Sequence, residues 1–153
     1  MDLSIIKKMY EEGNFMIVDS FDNWEDAVKA SVQPFIKNKI VLPEYAERVC
    51  NMVKEFGPYI CICPHIAIPH AMAPELVLSK ESHICFMKVN NTVSFSDNAN
   101  EKAELFFALA APSGEQHLES LQTLASLLEE EEVVNALLEA KTDSDFRKIF
   151  NII

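Results

Sequence analysis

Apolar positions along the chain follow two rhythms. Phe15-Met16-Ile17-Val18, Tyr59-Ile60-Cys61-Ile62, Ser82 to Val89 and Leu105 to Ala110 are short runs that read as strands. The last is apolar at every position, which predicts a strand buried on both faces. Residues 2–11 read as a short helix. Trp24, Ala27, Val28, Phe35 and Ile36 recur at helical spacing and predict a helix over residues 23–36. Asp22 offers its N-cap, with Glu25 at the third helical position. Pro34 is expected to kink this helix or end it early. Pro43 can open the next helix, with Ala46, Val49, Cys50 and Val53 as the buried stripe and Gly57 as the stop. After Pro112-Ser113-Gly114, Ser113 and Gln116 make a capping box. Leu118, Leu121, Leu124, Ala125 and Leu128 then form the expected buried face of a helix. A further helix covers residues 131–140, and Thr142 caps a last one that buries Phe146, Ile149 and Phe150. Strands and helices mix throughout, so the fold class is α/β, a central sheet covered by helices.

Length and composition narrow the function. A chain of 153 residues with only three glycines, no repeat and no Gly/Ser linker reads as a single domain spanning 1–153. Its net charge of −11 repels a phosphate backbone and argues against nucleic acid as a partner. The charge suits a protein partner with a basic rim, although keeping the chain in solution is use enough for it. No apolar stretch is long enough to span a bilayer, and Met1 leads into a polar helix-like start rather than a secretory signal. A cytoplasmic protein without membrane insertion is expected. Cys50, Cys61, Cys63 and Cys85 sit in apolar contexts and read as reduced core thiols.

Candidate chemistry gathers in Cys63-Pro64-His65-Ile66-Ala67-Ile68-Pro69-His70-Ala71. Pro69 stops an apolar run, and His70 follows at once, held at a strand end. Imidazole suits nucleophilic and proton-transfer work near neutral pH. A structural histidine in a turn would look the same. His117 falls in the first turn of the capped helix after the buried strand, where free N–H groups and the helix dipole favour an anion. Taken alone it also fits a surface histidine. His65 is five residues before His70, on the opposite face of an extended segment, and is a candidate to tune the pKa of His70, although a neighbour with no such role is the stronger expectation. His83 alternates with Cys85 and Met87 and reads as packed. Cys61-x-Cys63-x-His65 shares one strand face, but an all-strand zinc chelate is rare, so no metal and no cofactor is expected. A Cys63–His117 nucleophile pair is conceivable, yet no oxyanion turn or third orienting group accompanies it. No Gly-rich loop offers a nucleotide cradle.

Ile66-Ala67-Ile68-Pro69-His70 resembles the phosphorylation-site signature of the mannitol/fructose-class enzyme IIA domains of the bacterial sugar phosphotransferase system. Phe56-Gly57-Pro58-Tyr59, Trp24-Glu25-Asp26-Ala27-Val28, and Phe106-Phe107-Ala108-Leu109-Ala110-Ala111 followed by His117 resemble the ascorbate-type enzyme IIA in particular. The resemblance implies a mixed sheet sandwiched by helices. It implies that His70 receives a phosphoryl group and that His117 supports it. It also implies two partners: HPr as donor, and a cysteine of a sugar-specific enzyme IIB as acceptor, for ascorbate or a related sugar acid. Three positions depart from the pattern. Ala71 and His65 stand where glycine is common, and Lys54 stands where mannitol-type members carry arginine. Surface contacts around His70 are expected from Ile66, Ile68, Met72 and Leu76, with core burial the stronger expectation for Ile66 and Ile68. A regulatory module that uses His70 phosphorylation as a signal is the alternative function, and a metal- or cysteine-dependent hydrolase is a third.

Overall fold

The computed structural model describes residues 1–153. Five strands, β1 (Phe15–Val18), β2 (Cys61–Cys63), β3 (His65–Ala67), β4 (His83–Ser94) and β5 (Lys102–Ala110), form one sheet in the order β1-β4-β5-β3-β2. β1 runs parallel to β4 and β3 parallel to β5, while the β4–β5 and β2–β3 pairs are antiparallel. The sheet is therefore mixed, and the ends of β3 and β5 lie side by side. Helices α2 (Trp24–Lys37) and α3 (Glu44–Phe56) cover one face. Helices α1 (Ser4–Glu11), α4 (Gly114–Leu128), α5 (Glu131–Glu139) and α6 (Asp143–Ile149) cover the other.

The fully apolar run becomes the central strand β5, buried from Ala103 to Ala110. Leu105, Phe107 and Leu109 point into the core shared with α1, α4, α5 and α6, whereas Ala108 and Ala110 face α2 and α3. Each large side chain buried this way contributes about 1.5–3 kcal/mol. α3 carries its expected stripe of Ala46, Val49, Cys50 and Val53, joined by Tyr45, and ends at Gly57 with φ +83°. There the missing Cβ lets the chain turn sharply. Thr142 and Asp145 form a reciprocal capping box on α6.

Several local expectations shift. The cap of α2 is Asn23, whose side chain accepts from Asp26 N–H at 2.8 Å, rather than Asp22. Pro34 does not end that helix, which runs on to Lys37. Phe35 anchors its last turn in the core, and its carbonyl accepts from both Ile40 and Val41. Tyr59 and Ile60 belong to a turn closed by Cys61 N–H on Pro58 O, so β2 starts at Cys61. β4 continues past Val89 to Ser94, because the polar residues Asn90, Asn91 and Thr92 lead into pairing of Val93 with Ala103.

The face of α4 is also rotated from the expected one. Ser120, Leu124 and Leu127 are buried, while Leu118 and Ala125 are exposed. Ser120 fits the stripe because its hydroxyl bonds to Ser82 at 2.9 Å. The capping box is only half made: Ser113 Oγ accepts from Gln116 N–H, but the Gln116 amide donates instead to Lys80 O.

Lys88, in the middle of β4, is fully buried. Its ammonium donates to the carbonyls of Leu137, Leu138 and Ala140 at 3.0, 2.8 and 2.5 Å. A sheet lysine thus caps the C-terminus of α5, where carbonyls lack helical partners and the dipole is negative.

Candidate active site

β3 ends at Ala67, and three residues later the chain places His70 beside the end of β5. The connecting segment is tied down at every step. Ile68 N–H donates to Ile60 O at 2.8 Å, and Pro69 O accepts from Leu109 N–H at 2.9 Å. Ala71 N–H donates to the Tyr45 hydroxyl at 3.1 Å, and that hydroxyl donates to Leu109 O at 2.7 Å. Tyr45 is fully buried, and desolvation pushes its phenol up to about 12, so it keeps the proton it needs as a donor. The carbonyl of His70 accepts from the Tyr59 hydroxyl.

His70 Nδ1 lies 2.5 Å from Ile68 O. A carbonyl can only accept, so Nδ1 carries the proton and Nε2 carries the lone pair. Ser113 caps α4, which begins just after β5, and His117 sits in its first turn. The His117 ring centroid is 5.1 Å from that of His70, and the Tyr59 ring stands perpendicular to the His70 ring at 5.2 Å. The first N–H groups of α4 have no intrahelical carbonyl. Burial, then the neighbouring His117, lowers the pKa of His70, and burial lowers that of His117. Both rings are neutral near pH 7.

The structure therefore brings His70 and His117 together and separates the other two histidines from them. His65 opens β3, at the far end of that strand from His70, and its Nδ1 is 2.5 Å from Glu104 on β5. It does not touch His70, so the tuning role suggested by sequence has no contact behind it. His65 has φ +77°, which explains why glycine suits this position. Ala71, in contrast, is not in the left-handed region, so a Cβ costs nothing there. His83 bonds to Ser79 Oγ at 2.8 Å. Lys54 is paired with Glu25 at 3.1 Å. Burial pushes the Cys63 thiol up and the Cys61 thiol to about 12, so neither is an activated thiolate. No three His, Cys, Asp or Glu side chains converge as a metal-ligand set.

Around the histidine pair, Ile66, Ile68 and Leu76 are buried and Met72 is exposed. The Met72 methyl lies 3.8 Å from where a Cβ on Gly114 would stand, beside the start of α4. Leu118, turned outward by the rotated helix face, follows His117 and is 57% exposed. Five surface hollows of about 360, 280, 210, 410 and 290 Å³ all lie elsewhere. His70 and His117 are each half-buried, leaving part of the pair accessible from outside, an arrangement suited to transfer between two proteins.

Residues 9–152 match the family described as phosphoenolpyruvate-dependent sugar phosphotransferase system, EIIA 2. The chain belongs to this family. EIIA components are phosphotransferases that carry a phosphohistidine intermediate, and they act as phosphocarriers with an EIIB. The ascorbate-specific EIIA component of Mycoplasma pneumoniae is 31% identical to this EIIA chain over 118 residues, 76% of this chain and 72% of the relative. Its counterpart in Escherichia coli K12 is 26% identical over 125 residues, 81% of this chain and 80% of the relative. A Streptococcus mutans structure described as a PTS IIA (PtxA) superposes with a TM-score of 0.79 at 26% identity, covering 95% of this chain and 92% of that one. The fold is also that of the mannitol enzyme IIA of E. coli in its complex with phosphorylated enzyme IIB, with a TM-score of 0.74 at 21% identity and coverage of 90% and 94%. The mixed sheet between helices is thus the EIIA fold. No helix is long and apolar enough to cross a membrane.

Sequence reasoning missed Tyr59 and Leu118 beside the histidine pair and the buried Tyr45 that anchors the His70 segment. The Phe56-Gly57-Pro58-Tyr59 motif carried a signal for the first. Nothing in local pattern marks the other two.

Proposed function

We propose that His70 is the phosphoryl acceptor of this EIIA, through Nε2, and that His117 offsets the charge of the bound phosphoryl group. The observation that carries the reading is the Nδ1–H···O=C bond to Ile68, which leaves Nε2 unprotonated beside a second neutral imidazole. The Nε2 lone pair attacks phosphorus on a donor phosphohistidine. The donor N–P bond breaks, and its electron pair returns to the donor ring. Because Nδ1 keeps its proton on Ile68 O, the phosphorylated ring is cationic and remains a good leaving group for the next transfer. His117, beside His70, and the positive end of α4 that carries it are the groups that offset the developing charge in this reading.

The donor in this reading is HPr, and the acceptor is a cysteine of a sugar-specific enzyme IIB. The sugar is ascorbate or a related sugar acid, supported by relatives whose names carry ascorbate specificity. Docking would use Met72 and Leu118, with the chain's excess of acidic residues meeting a basic partner rim. The protein acts as one domain over 1–153 in the cytoplasm, with no cofactor or metal in the transfer. Incubation with phosphoenolpyruvate, enzyme I and HPr, followed by intact mass, tests it. Wild type should gain one phosphate and His70→Ala none. A wild type that gains nothing while a control acceptor is phosphorylated overturns it.

A further inference from the structure

We infer that Tyr59 is a positioning residue for this transfer: its hydroxyl holds the His70 carbonyl while its ring, perpendicular to the imidazole, fixes the imidazole plane. The inference rests on His70 as acceptor. Peptide groups on both sides of His70 are pinned by β5 and Tyr45, through Pro69 O, Ala71 N–H and the Tyr45 hydroxyl. The His70 carbonyl is pinned by Tyr59. One side chain therefore makes both a backbone bond to His70 and a perpendicular ring contact at 5.2 Å and 88°. Ile68 O sets which ring nitrogen is protonated, but a single hydrogen bond still leaves the ring free to swing about it. Contact with Tyr59 and His117 removes that freedom.

Tyr59 is itself held. Gly57 at φ +83° turns the chain out of α3, Tyr59 N–H closes on Gly57 O at 2.7 Å, and Ile60 is fully buried behind it. Burial raises the Tyr59 phenol far above its ordinary value, so it stays a donor at any working pH. In-line attack tolerates little misplacement, and errors near 1 Å cost up to about a hundredfold in rate.

The test is single-turnover phosphorylation by phospho-HPr of wild type, Tyr59→Phe and Tyr59→Leu, with ¹⁵N spectra of the His70 ring in the unphosphorylated proteins. Tyr59→Phe keeps the ring and the fold. It should slow transfer at saturating donor by about tenfold, leave the half-saturating donor concentration unchanged, and blur the Nδ1–H signature of His70. Tyr59→Leu, checked for folding by circular dichroism, should slow it further. Wild-type rate and spectrum in Tyr59→Phe overturn the inference. So does a rise in half-saturating concentration alone, which would make Tyr59 a docking contact. If wild type takes no phosphate on His70, the functional reading fails separately, and the ring spectra still decide whether Tyr59 fixes the imidazole.

Discussion

Replacing Lys88 by methionine should strip α5 of its C-terminal cap. The side chains are close in length, so the core stays filled, and the change isolates the ammonium. Lys88 makes three charge-assisted bonds to Leu137, Leu138 and Ala140 carbonyls. Such bonds contribute about 1.5–3 kcal/mol each. Against this, the buried ammonium costs several kcal/mol of lost hydration, which methionine does not incur. Losing three bonds outweighs that relief, and the net expected loss is about 2–4 kcal/mol. For a chain of this size each kcal/mol moves the melting temperature by about 2–4 °C. Urea denaturation followed by circular dichroism measures the loss directly. Hydrogen exchange should locate it in the last turn of α5 and in the α5–α6 connection. A Lys88→Met protein with the wild-type midpoint, or a higher one, would refute the argument and show that burying the ammonium costs as much as its bonds return.

Three more outcomes follow from the site. The phosphoryl group should reside on Nε2 of His70, because Nδ1 is committed to Ile68 O; isomer-selective antibodies or ³¹P–¹⁵N coupling would identify it, and an Nδ1 adduct would contradict the tautomer assigned here. Tyr45→Phe should cost about 2–6 kcal/mol, since it orphans two buried backbone groups at about 1–3 kcal/mol each; an unchanged urea midpoint would remove Tyr45 from the anchoring of the His70 segment. Acid should weaken the fold before it weakens ordinary carboxylate pairs: burial depresses His70 and His117, so below the unfolded imidazole value of about 6.5 the unfolded chain binds protons that the native state refuses. Stability is therefore full above that pH and falls as pH drops towards the depressed native values. His83 is depressed in the same sense, so His70→Gln/His117→Gln should reduce the slope of unfolding free energy between pH 7.5 and 5 without abolishing it. An unaltered slope would deny that partial burial holds these two imidazoles neutral.

How much was legible in the sequence depended on the range of the interaction. The β5 run, the α3 stripe and the Thr142 cap are local patterns, and they appear where the pattern puts them. His70 and His117 could be singled out because one follows a proline stop and the other opens a capped helix. Their 5.1 Å approach needs β3 beside β5, which no local rhythm encodes. The rotated face of α4 and the buried lysine of β4 trace to polar residues with long-range partners, whereas the cap of α2 and the start of β2 moved by a residue or two for local reasons. Ser120 enters the buried face of α4 only because Ser82 meets it, and the rotation that follows turns Leu118 outward. Lys88 interrupts an apolar strand without interrupting burial because helix carbonyls replace its water.

The pairing of β3 with β5 also sets when the protein becomes competent. His70 and His117 are 47 residues apart, and β4 and β5 lie between them in sequence. Closing a loop of this length costs chain entropy that the contacts of the core must offset. On a ribosome, His70 would emerge long before its neighbouring imidazole and the start of α4. On the proposed reading, a nascent or half-folded chain presents the His70 imidazole without the surroundings proposed to orient it and to offset the phosphoryl charge. Phosphoryl uptake at His70, if the proposed assignment holds, is then expected only from completely folded molecules, so partly folded ones would not drain phosphate.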